Sequence, residues 1–283
     1  MNVEQMTIIG AGTMGTGIAQ VAAQAGIEVQ LIDTSREALE RSRGMLDESL
    51  RGGIEREKLT EEQAAQARER ITWTTSREPL READWVTEAV FEDLEVKAEV
   101  LERAGEDAPQ HAVIASNTST LPISRLAEMS GRPERFIGTH FFNPAPAMKL
   151  VEVIPGERTL PEVTDAAVAL CERMGKEARL APDIPGFLVN CGFAALLSAA
   201  IDIWRQGAEP EDIDGAMELG LGHRMGPLAT ADLIGLDVCL ALLQSLHEQT
   251  GHPRFEVPPE LVEMVAAGKL GRKSGEGFHE YGR

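Results

Sequence analysis

The segment from Met6 to Asp33 constrains the fold more than any other part of the chain. An apolar run, MTII, leads into a glycine motif with the spacing G-x-G-x-x-G. Apolar residues then recur at helical intervals up to Gly26, which can end a helix in the left-handed conformation. The run EVQLI follows and predicts a second strand. The order of strand, glycine turn, helix and strand predicts a βαβ unit of a parallel sheet.

The glycine motif has the composition of a dinucleotide-binding turn. Gly10 permits the tight turn, Gly12 leaves room for a pyrophosphate, and Gly15 lets helix and strand pack closely. Thr13 and Met14 fall in the first turn of the predicted helix, where backbone amides and the helix dipole attract phosphate. Because the motif sits between two predicted strands, it indicates a dinucleotide site.

Asp33 ends the second predicted strand, 21 residues after Gly12. A carboxylate at this place can accept hydrogen bonds from the adenosine ribose. It favours NAD, because it would repel the 2′-phosphate of NADP, although nearby Arg36 leaves some use of NADP open. The alternative is that Asp33 is only the N-cap of the helix predicted from REALERSRGML.

Charge and composition exclude several classes of protein. The formal net charge of -19 over 283 residues argues against a nucleic-acid binder and against adhesion to anionic membranes. No uncharged apolar run approaches the ~20 residues of a membrane span, and no secretory signal is visible. The three cysteines are far apart in apolar contexts, so neither a disulfide nor a metal site is expected. We therefore expect a cytoplasmic protein without a metal.

Between residues 71 and 155 short apolar runs alternate with polar or amphipathic segments. ITW, DWVTEAV, HAVIAS and RFIGTHFF predict strands, and LEVKAEVLERAG predicts a helix. Such alternation is typical of a mostly parallel sheet covered by helices, whose ligands bind at the carboxyl ends of the strands. SNTST (Ser116–Thr120) follows one strand directly, and we expect His140 to follow another and emerge near the same edge.

The stretch GTHFFNPAPAMKLVEVI places His140, Asn143 and Glu152 among apolar residues. An imidazole suits proton transfer near neutral pH, and a carboxylate can stabilise the imidazolium and fix its tautomer. A turn through NPAPAM and a return strand would bring Glu152 to His140. Alternatively, the histidine is a core residue, Glu152 faces solvent on an edge strand, and Asn143 only forms a turn before Pro144.

The last hundred residues show no strand pattern. After the proline-containing APDIPGFLVN, a long apolar helix is predicted to end at Gly207, and two further helices follow. We therefore predict an α/β Rossmann-like domain over residues 1–185 and an all-α domain over residues 186–283. The first of these helices is apolar on most sides, which indicates a contact with another subunit.

Seven motifs together resemble the L-3-hydroxyacyl-CoA dehydrogenases, in particular the short bacterial 3-hydroxybutyryl-CoA dehydrogenases. They span nearly the whole chain: GAGTMG, EAVFEDLEVK, SNTST, HFFNPAPAMKLVEV, PGFLVN, GLGHRMGPLATADLIGLD and GRKSGEGFHEY. The resemblance implies reversible hydride transfer between C3 of a hydroxyacyl-CoA and NAD. It also implies a homodimer formed through the carboxyl-terminal domain.

The resemblance also implies roles for individual residues. His140 matches the catalytic acid/base and Glu152 its carboxylate partner. Ser119 matches a serine that binds the substrate's 3-oxygen, Asn190 an asparagine that orients the substrate, and Asn143 a residue near nicotinamide and substrate. Further cofactor contacts are implied for Glu92, Lys97 and Lys273, and CoA contacts for Ser49 with nearby Arg56 or Lys58.

Two other functions compete with this interpretation. One is a related NAD dehydrogenase of a free hydroxy acid, similar to L-gulonate dehydrogenase or lambda-crystallin, against which the HFFNPAPAMKLVEV segment argues. The other is a non-catalytic dinucleotide-binding protein. A sensor needs only the glycine fingerprint, so the joint presence of His140, Glu152, Ser119 and Asn190 argues against it.

Overall fold

A computed structural model describes residues 1–282, which divide into two compact units. The first is Met1–Asp183, and the second begins at Ile184. The division falls two residues before the boundary expected from the proline-containing segment.

The first unit is built on one eight-stranded sheet, in the order β3-β2-β1-β4-β5-β6-β7-β8. All neighbouring strands are parallel except β6 and β7. The prediction of a mostly parallel sheet is therefore confirmed. The strands are β1 (Gln5–Ile9), β2 (Glu28–Ile32), β3 (Ile71–Thr74), β4 (Trp85–Glu88), β5 (Val113–Ser116), β6 (Phe136–Phe141), β7 (Leu150–Pro155) and β8 (Glu177–Leu180).

Helices cover the sheet, as expected for parallel strands that need burial on both faces. Residues of β4, β5 and β6 are buried throughout, which explains their near-continuous apolar runs. The helices of this unit are α1 (Thr13–Gln24), α2 (Arg36–Glu55), α3 (Glu61–Glu69), α4 (Leu94–Asp107), α5 (Ile123–Met129) and α6 (Pro161–Arg173), with short 3-10 turns at Glu78–Glu82 and Pro133–Arg135.

The direction of the chain across the sheet reverses at β1. The connection through α1 leads to β2 on one side, whereas β4 pairs with β1 on the other. A crevice opens at such a switch point outside the carboxyl ends of the strands, and it is where α/β sheets bind ligands. The glycine turn of residues 10–15 lies at this point.

The second unit is helical, with its own core of apolar side chains. Its first helix is α7 (Val189–Arg205), and Gly207 follows in the left-handed region with φ of 96°. The other helices are α8 (Pro210–Leu221), α9 (Pro227–Ile234), α10 (Leu236–Thr250) and α11 (Pro259–Ala266), and a 3-10 turn lies at Pro253–Phe255.

Two features of the sheet were not anticipated from the sequence, and in the second unit α9 and α11 come in addition to the three helices that were predicted. The polar segment EARL forms β8 and covers the edge of β7. The predicted strand DWVTEAV ends at Glu88, so that Ala89 and Val90 already belong to the loop facing the glycine turn.

Within residues 1–282 no single helix is long and apolar enough to span a membrane. Taken together, α9 and α10 have the necessary length and apolar composition, but the pair is bent by 102°.

Candidate active site

Two of the three motif glycines are required by the packing of the chain itself. Gly10 has a φ of 110°, and a Cβ atom there would lie 2.5 Å from the carbonyl oxygen of Ala89. A Cβ on Gly15 would lie 1.8 Å from the carbonyl oxygen of Gly10. Any side chain at these positions would push the glycine turn away from β4 and α1.

Gly12 differs from the other two, because a Cβ atom there would meet nothing within 4 Å. The protein itself does not need glycine at this place, whereas a ligand approaching the backbone would. Gly12 is the N-cap of α1, and the first turn of α1 contains no acidic residue. Its amides and dipole are therefore suited to a pyrophosphate, and the residues present fit a dinucleotide.

Asp33 holds the end of β2 against the glycine turn. One carboxylate oxygen accepts the amide of Ala11 at 2.8 Å, and the other accepts the amide of Ser35 at 2.9 Å. The N-cap of α2 is Ser35, whose hydroxyl accepts the amide of Ala38. The alternative that Asp33 caps this helix is therefore wrong. A carboxylate has about four lone-pair sites, so two remain for ribose hydroxyls.

His140 and Glu152 form a directly opposed pair across β6 and β7. His140 Nδ1 lies 2.7 Å from Glu152 Oε2. Side chains of opposed residues on antiparallel strands project on the same face about 5 Å apart, so the strand register alone brings them together. His140 is 5% exposed and Glu152 is 0% exposed. The pair is thus a dry imidazole–carboxylate unit.

The structure rules out the edge-strand alternative for Glu152 and corrects the expected position of His140. Glu152 does not face solvent on an edge strand, because β8 pairs with β7 on its far side. His140 lies within β6, one residue before its end, and not in a loop after the strand. Its ring packs against Phe142, with centroids 4.5 Å apart.

The SNTST loop begins where β5 ends and is tied to the strand that carries His140. Asn117 Oδ1 accepts the amide of Phe141 at 2.9 Å, which fixes the loop beside the end of β6. Ser119, two residues further, is half-buried. The strand order β4, β5 and β6 therefore places the Ser119 loop between the dinucleotide crevice and the His140 pair.

Glu92 and Lys97 lie together near the same loop, but Lys97 is inside the protein. Its side chain is 1% exposed, and Nζ lies 2.7 Å from Glu88 Oε1 and 3.3 Å from Glu92 Oε2. Burial works against the charged form of Glu92. The charge of Lys97 and hydrogen bonds from Thr118, Ser119 and Thr120 outweigh burial, so the pKa of Glu92 is lowered. Sequence reasoning missed Glu88; the only signal for it was its place in EAVFEDLEVK.

The remaining predicted site residues lie in several places. Asn143 is exposed in the loop between β6 and β7. Ser49 is half-buried on α2, and exposed Arg56 is the C-cap of that helix. In the second unit, half-buried Asn190 lies in the first turn of α7, and Lys273 pairs with Asp237 at 2.5 and 2.7 Å. The structure brings together His140, Glu152 and the Ser119 loop, whereas Lys273 belongs to a cluster of the second unit.

Two family models match the chain in the order of its two units. Residues 5–183 match the NAD binding domain of 3-hydroxyacyl-CoA dehydrogenase, and residues 186–281 match the carboxyl-terminal domain of the same family. The chain therefore belongs to the 3-hydroxyacyl-CoA dehydrogenase family. It is an NAD-dependent oxidoreductase of the 3-hydroxyacyl-CoA dehydrogenase class.

Relatives match over nearly their whole length. A probable 3-hydroxybutyryl-CoA dehydrogenase from Deinococcus radiodurans is 45% identical over 275 residues, covering 97% of this chain and 99% of the relative. The 3-hydroxybutyryl-CoA dehydrogenase of Bradyrhizobium diazoefficiens is 39% identical, covering 99% and 96%. The crystal structure of (S)-3-hydroxybutyryl-CoA dehydrogenase from Ralstonia eutropha superposes with a TM-score of 0.94 at 40% identity, over 100% of both chains.

Proposed function

We propose that the protein is a 3-hydroxybutyryl-CoA dehydrogenase, which interconverts (S)-3-hydroxybutyryl-CoA and acetoacetyl-CoA with NAD. The observation that carries the proposed mechanism is the buried His140–Glu152 pair at 2.7 Å. The four-carbon acyl chain is supported by the names of relatives that are 38 to 45% identical to this chain.

In this mechanism His140 moves the proton and Glu152 supports it. Glu152 faces Nδ1, so a proton held there leaves the other ring nitrogen, Nε2, to act as the base toward the substrate hydroxyl. As Nε2 takes the proton, the imidazolium charge is stabilised by the carboxylate in surroundings that exclude water. NAD, when bound, supplies the acceptor for the hydride that leaves C3 of the substrate.

Residues around the pair position the two reactants. Ser119 would bind the 3-oxygen, and Asn143 and Asn190 would orient the acyl group. Gly12 and the first turn of α1, with Thr13 and Met14, would receive the pyrophosphate. Further cofactor contacts are proposed for Asp33, Glu92 and Lys273, and CoA contacts for Ser49 and Arg56. Lys97 is buried and its ammonium group is occupied by Glu88, Glu92 and Val90, so it would act on the cofactor only through Glu92.

We propose that the enzyme is a homodimer formed through its helical unit and works in the cytoplasm. Several large apolar side chains of this unit are exposed on α7 and α8, including Ile203, Leu219 and Leu221. An uncovered apolar surface of this kind is typical of a protein–protein interface. NAD and acyl-CoA are highly charged and do not cross a bilayer unaided, which supports the cytoplasmic location.

The direct test mixes the purified protein with acetoacetyl-CoA and NADH and follows the loss of NADH absorbance. We expect turnover with a higher kcat/KM for acetoacetyl-CoA than for a long-chain 3-ketoacyl-CoA. A preference for the long chain would contradict the four-carbon assignment. Turnover of gulonate, without turnover of any CoA thioester, would favour the free hydroxy acid alternative.

The same assay with NADPH tests the role of Asp33. We expect NADH to be used far more efficiently, because the carboxylate would repel a 2′-phosphate. Asp33→Ser should weaken NADH binding and narrow the difference between the two cofactors. Since Asp33 also accepts the Ala11 amide, some loss of stability is expected as well. Equal use of both cofactors by the unsubstituted enzyme would contradict this role.

A further inference from the structure

A buried lysine supports the loop after β4, which in turn contacts the loop after β5. Lys97 lies in the first turn of α4, whose N-cap Asp93 accepts the amides of Glu95 and Val96. Its ammonium group contacts Glu88, Glu92 and the carbonyl oxygen of Val90. Three acceptors match the three N–H donors of an ammonium group. Lys97 is thus held by α4 at one end and, at the other, by the end of β4 and the loop that follows it.

Glu88 anchors this connection inside the sheet. It is 0% exposed, and it is the last residue of β4, directly opposite Ser116 of β5. Its Oε2 accepts the Ser116 hydroxyl at 2.6 Å. Its Oε1 accepts the amide of Val90 at 2.7 Å as well as the Lys97 ammonium. Removing the charge of such a buried carboxylate would leave Lys97 without its closest partner.

Glu92 carries the connection to the Ser119 loop. Its Oε1 accepts the amides of Ser119 at 2.7 Å and Thr120 at 3.0 Å. The Thr118 hydroxyl donates to the same oxygen at 2.6 Å. Its other oxygen, Oε2, faces Lys97. The backbone of Ser119 is therefore set by a carboxylate that Lys97 orients, and Lys97 is in turn oriented by Glu88.

We propose that Glu88 is a positioning residue for the dehydrogenase reaction. It acts through Lys97 and Glu92 to hold the Ser119 loop in register with the strand that carries His140. This inference rests on the proposed function in one respect, namely that Ser119 binds the oxygen at C3 of the substrate. If the loop shifts, that oxygen is no longer held where the imidazole can exchange its proton.

The test is Glu88→Gln, which keeps the size of the side chain and a carbonyl acceptor but removes the charge. Misplacement of a reacting group by about 1 Å can reduce a rate on the order of a hundredfold, so we expect kcat with acetoacetyl-CoA to fall about ten- to a hundredfold. NADH binding, measured by fluorescence titration, reports separately on the cofactor contact proposed for Glu92, and its loss should be smaller than the fall in kcat. Glu102→Gln, an exposed glutamate of the same helix as Lys97, is the matched control and should retain kcat.

A double-mutant cycle with Ser119→Ala separates positioning from general stabilisation. If Glu88 acts through Ser119, then Glu88→Gln should cost little further kcat once Ser119 has been replaced. Full additivity of the two losses would overturn the inference while leaving the role of Ser119 intact. Normal kcat in Ser119→Ala alone would instead refute the proposed role of Ser119, and the inference with it.

A second variant covers the case in which Glu88→Gln does not fold. Thr118→Val is nearly isosteric and removes the hydroxyl that donates to Glu92 and accepts the amide of Leu121, so it loosens the Ser119 loop from the other end of the connection. We expect a smaller fall in kcat that also shrinks in the Ser119→Ala background. A folded Thr118→Val enzyme whose kcat equals that of the unsubstituted protein, or whose loss is additive with Ser119→Ala, would overturn the inference.

Discussion

The two units of the molecule each contain a histidine–carboxylate pair with the same separation. In the sheet unit His140 Nδ1 lies 2.7 Å from Glu152 Oε2, and in the helical unit His279 Nε2 lies 2.7 Å from Asp214 Oδ2. Distance alone therefore does not distinguish the pair proposed to be catalytic from the other. The difference between the two pairs lies in what else holds the carboxylate and the ring.

Asp214 and His279 hold the end of the chain against the helical unit. Asp214 accepts the amides of Leu228 and Ala229 at the start of α9, besides the imidazole. The backbone amide of His279 donates to Asp232, and the second ring nitrogen lies 3.5 Å from Glu211. Both nitrogens of this ring thus face carboxylates of α8, an arrangement that ties residue 279 to that helix and serves a structural purpose.

His140 is arranged differently. Its partner Glu152 belongs to a central strand, and the pair is created by the register of β6 and β7 and not by a helix terminus. Only Nδ1 of the ring faces this carboxylate. A proton-transfer group needs one ring nitrogen for its partner, and the proposed mechanism assigns the other nitrogen of His140, Nε2, to the substrate. The comparison yields four predictions.

The largest effect should come from His140→Gln. It keeps approximate size and a hydrogen-bonding side chain but removes the titrating base, so kcat should fall by about 10²- to 10⁴-fold with NADH binding little changed. The matched variant His279→Gln should retain kcat, measured in the same acetoacetyl-CoA assay. Near-normal kcat in His140→Gln would remove the catalytic interpretation of the sheet-unit pair.

Glu152→Gln should have the second largest effect. The imidazolium loses its stabilising charge, so kcat should fall, but by no more than the ~10²- to 10⁴-fold expected for loss of the base itself. The double variant with His140→Gln should be little worse than His140→Gln alone, because Glu152 acts through the ring. Additive losses would mean that Glu152 contributes independently, as a structural residue of β7.

Asp214→Asn should act on stability and not on chemistry. In the native protein one carboxylate oxygen of Asp214 accepts from the Ala229 amide and the His279 ring. In the variant an amide NH₂ group at this position would face these two donors, and the free energy of unfolding should fall by about 1–3 kcal/mol. Urea unfolding would measure this loss, with exposed Asp212→Asn on the same helix as the control. A strong fall in kcat without loss of stability would show that the helical-unit pair also serves catalysis.

The smallest effect is expected for the stability of His279→Gln. The side chain loses its bond to Asp214, but the backbone amide keeps its bond to Asp232. The loss should therefore be about 1 kcal/mol, the usual net worth of one hydrogen bond. Urea unfolding of both variants checks this ranking. A larger loss in the free energy of unfolding for His279→Gln than for Asp214→Asn would contradict it.

Much of the first unit could be predicted because its signals are local. The glycine turn, the two flanking strands and Asp33 lie within 28 residues, and each is recognised from residues close to it in the sequence. The run of buried strands from β4 to β6 was equally visible, since strands covered on both faces read as apolar runs. The helical character of the second unit followed from long apolar segments without strand alternation.

Other parts of the site could not be predicted from local patterns. EARL has no apolar periodicity, so β8 was missed, and Glu152 was left with an edge-strand alternative that β8 removes. Glu88 fell inside the predicted strand DWVTEAV and had no predicted role. Its role depends on Lys97, Ser116 and the turn after β4, which only the fold brings to one point.

By itself, the sequence determined the alternation of strands and helices up to β7, the dinucleotide turn and the identity of the groups able to transfer a proton. Tertiary structure decided how each of the two histidine–carboxylate pairs is held, which supports the proposal that the His140 pair serves catalysis, and how Glu88, Lys97 and Glu92 support the Ser119 loop. The physical reason is the sequence separation of the residues that define each feature. Turns, caps and apolar periodicity depend on residues a few positions apart, whereas a buried charge is defined by partners that strand register and helix packing bring from distant positions.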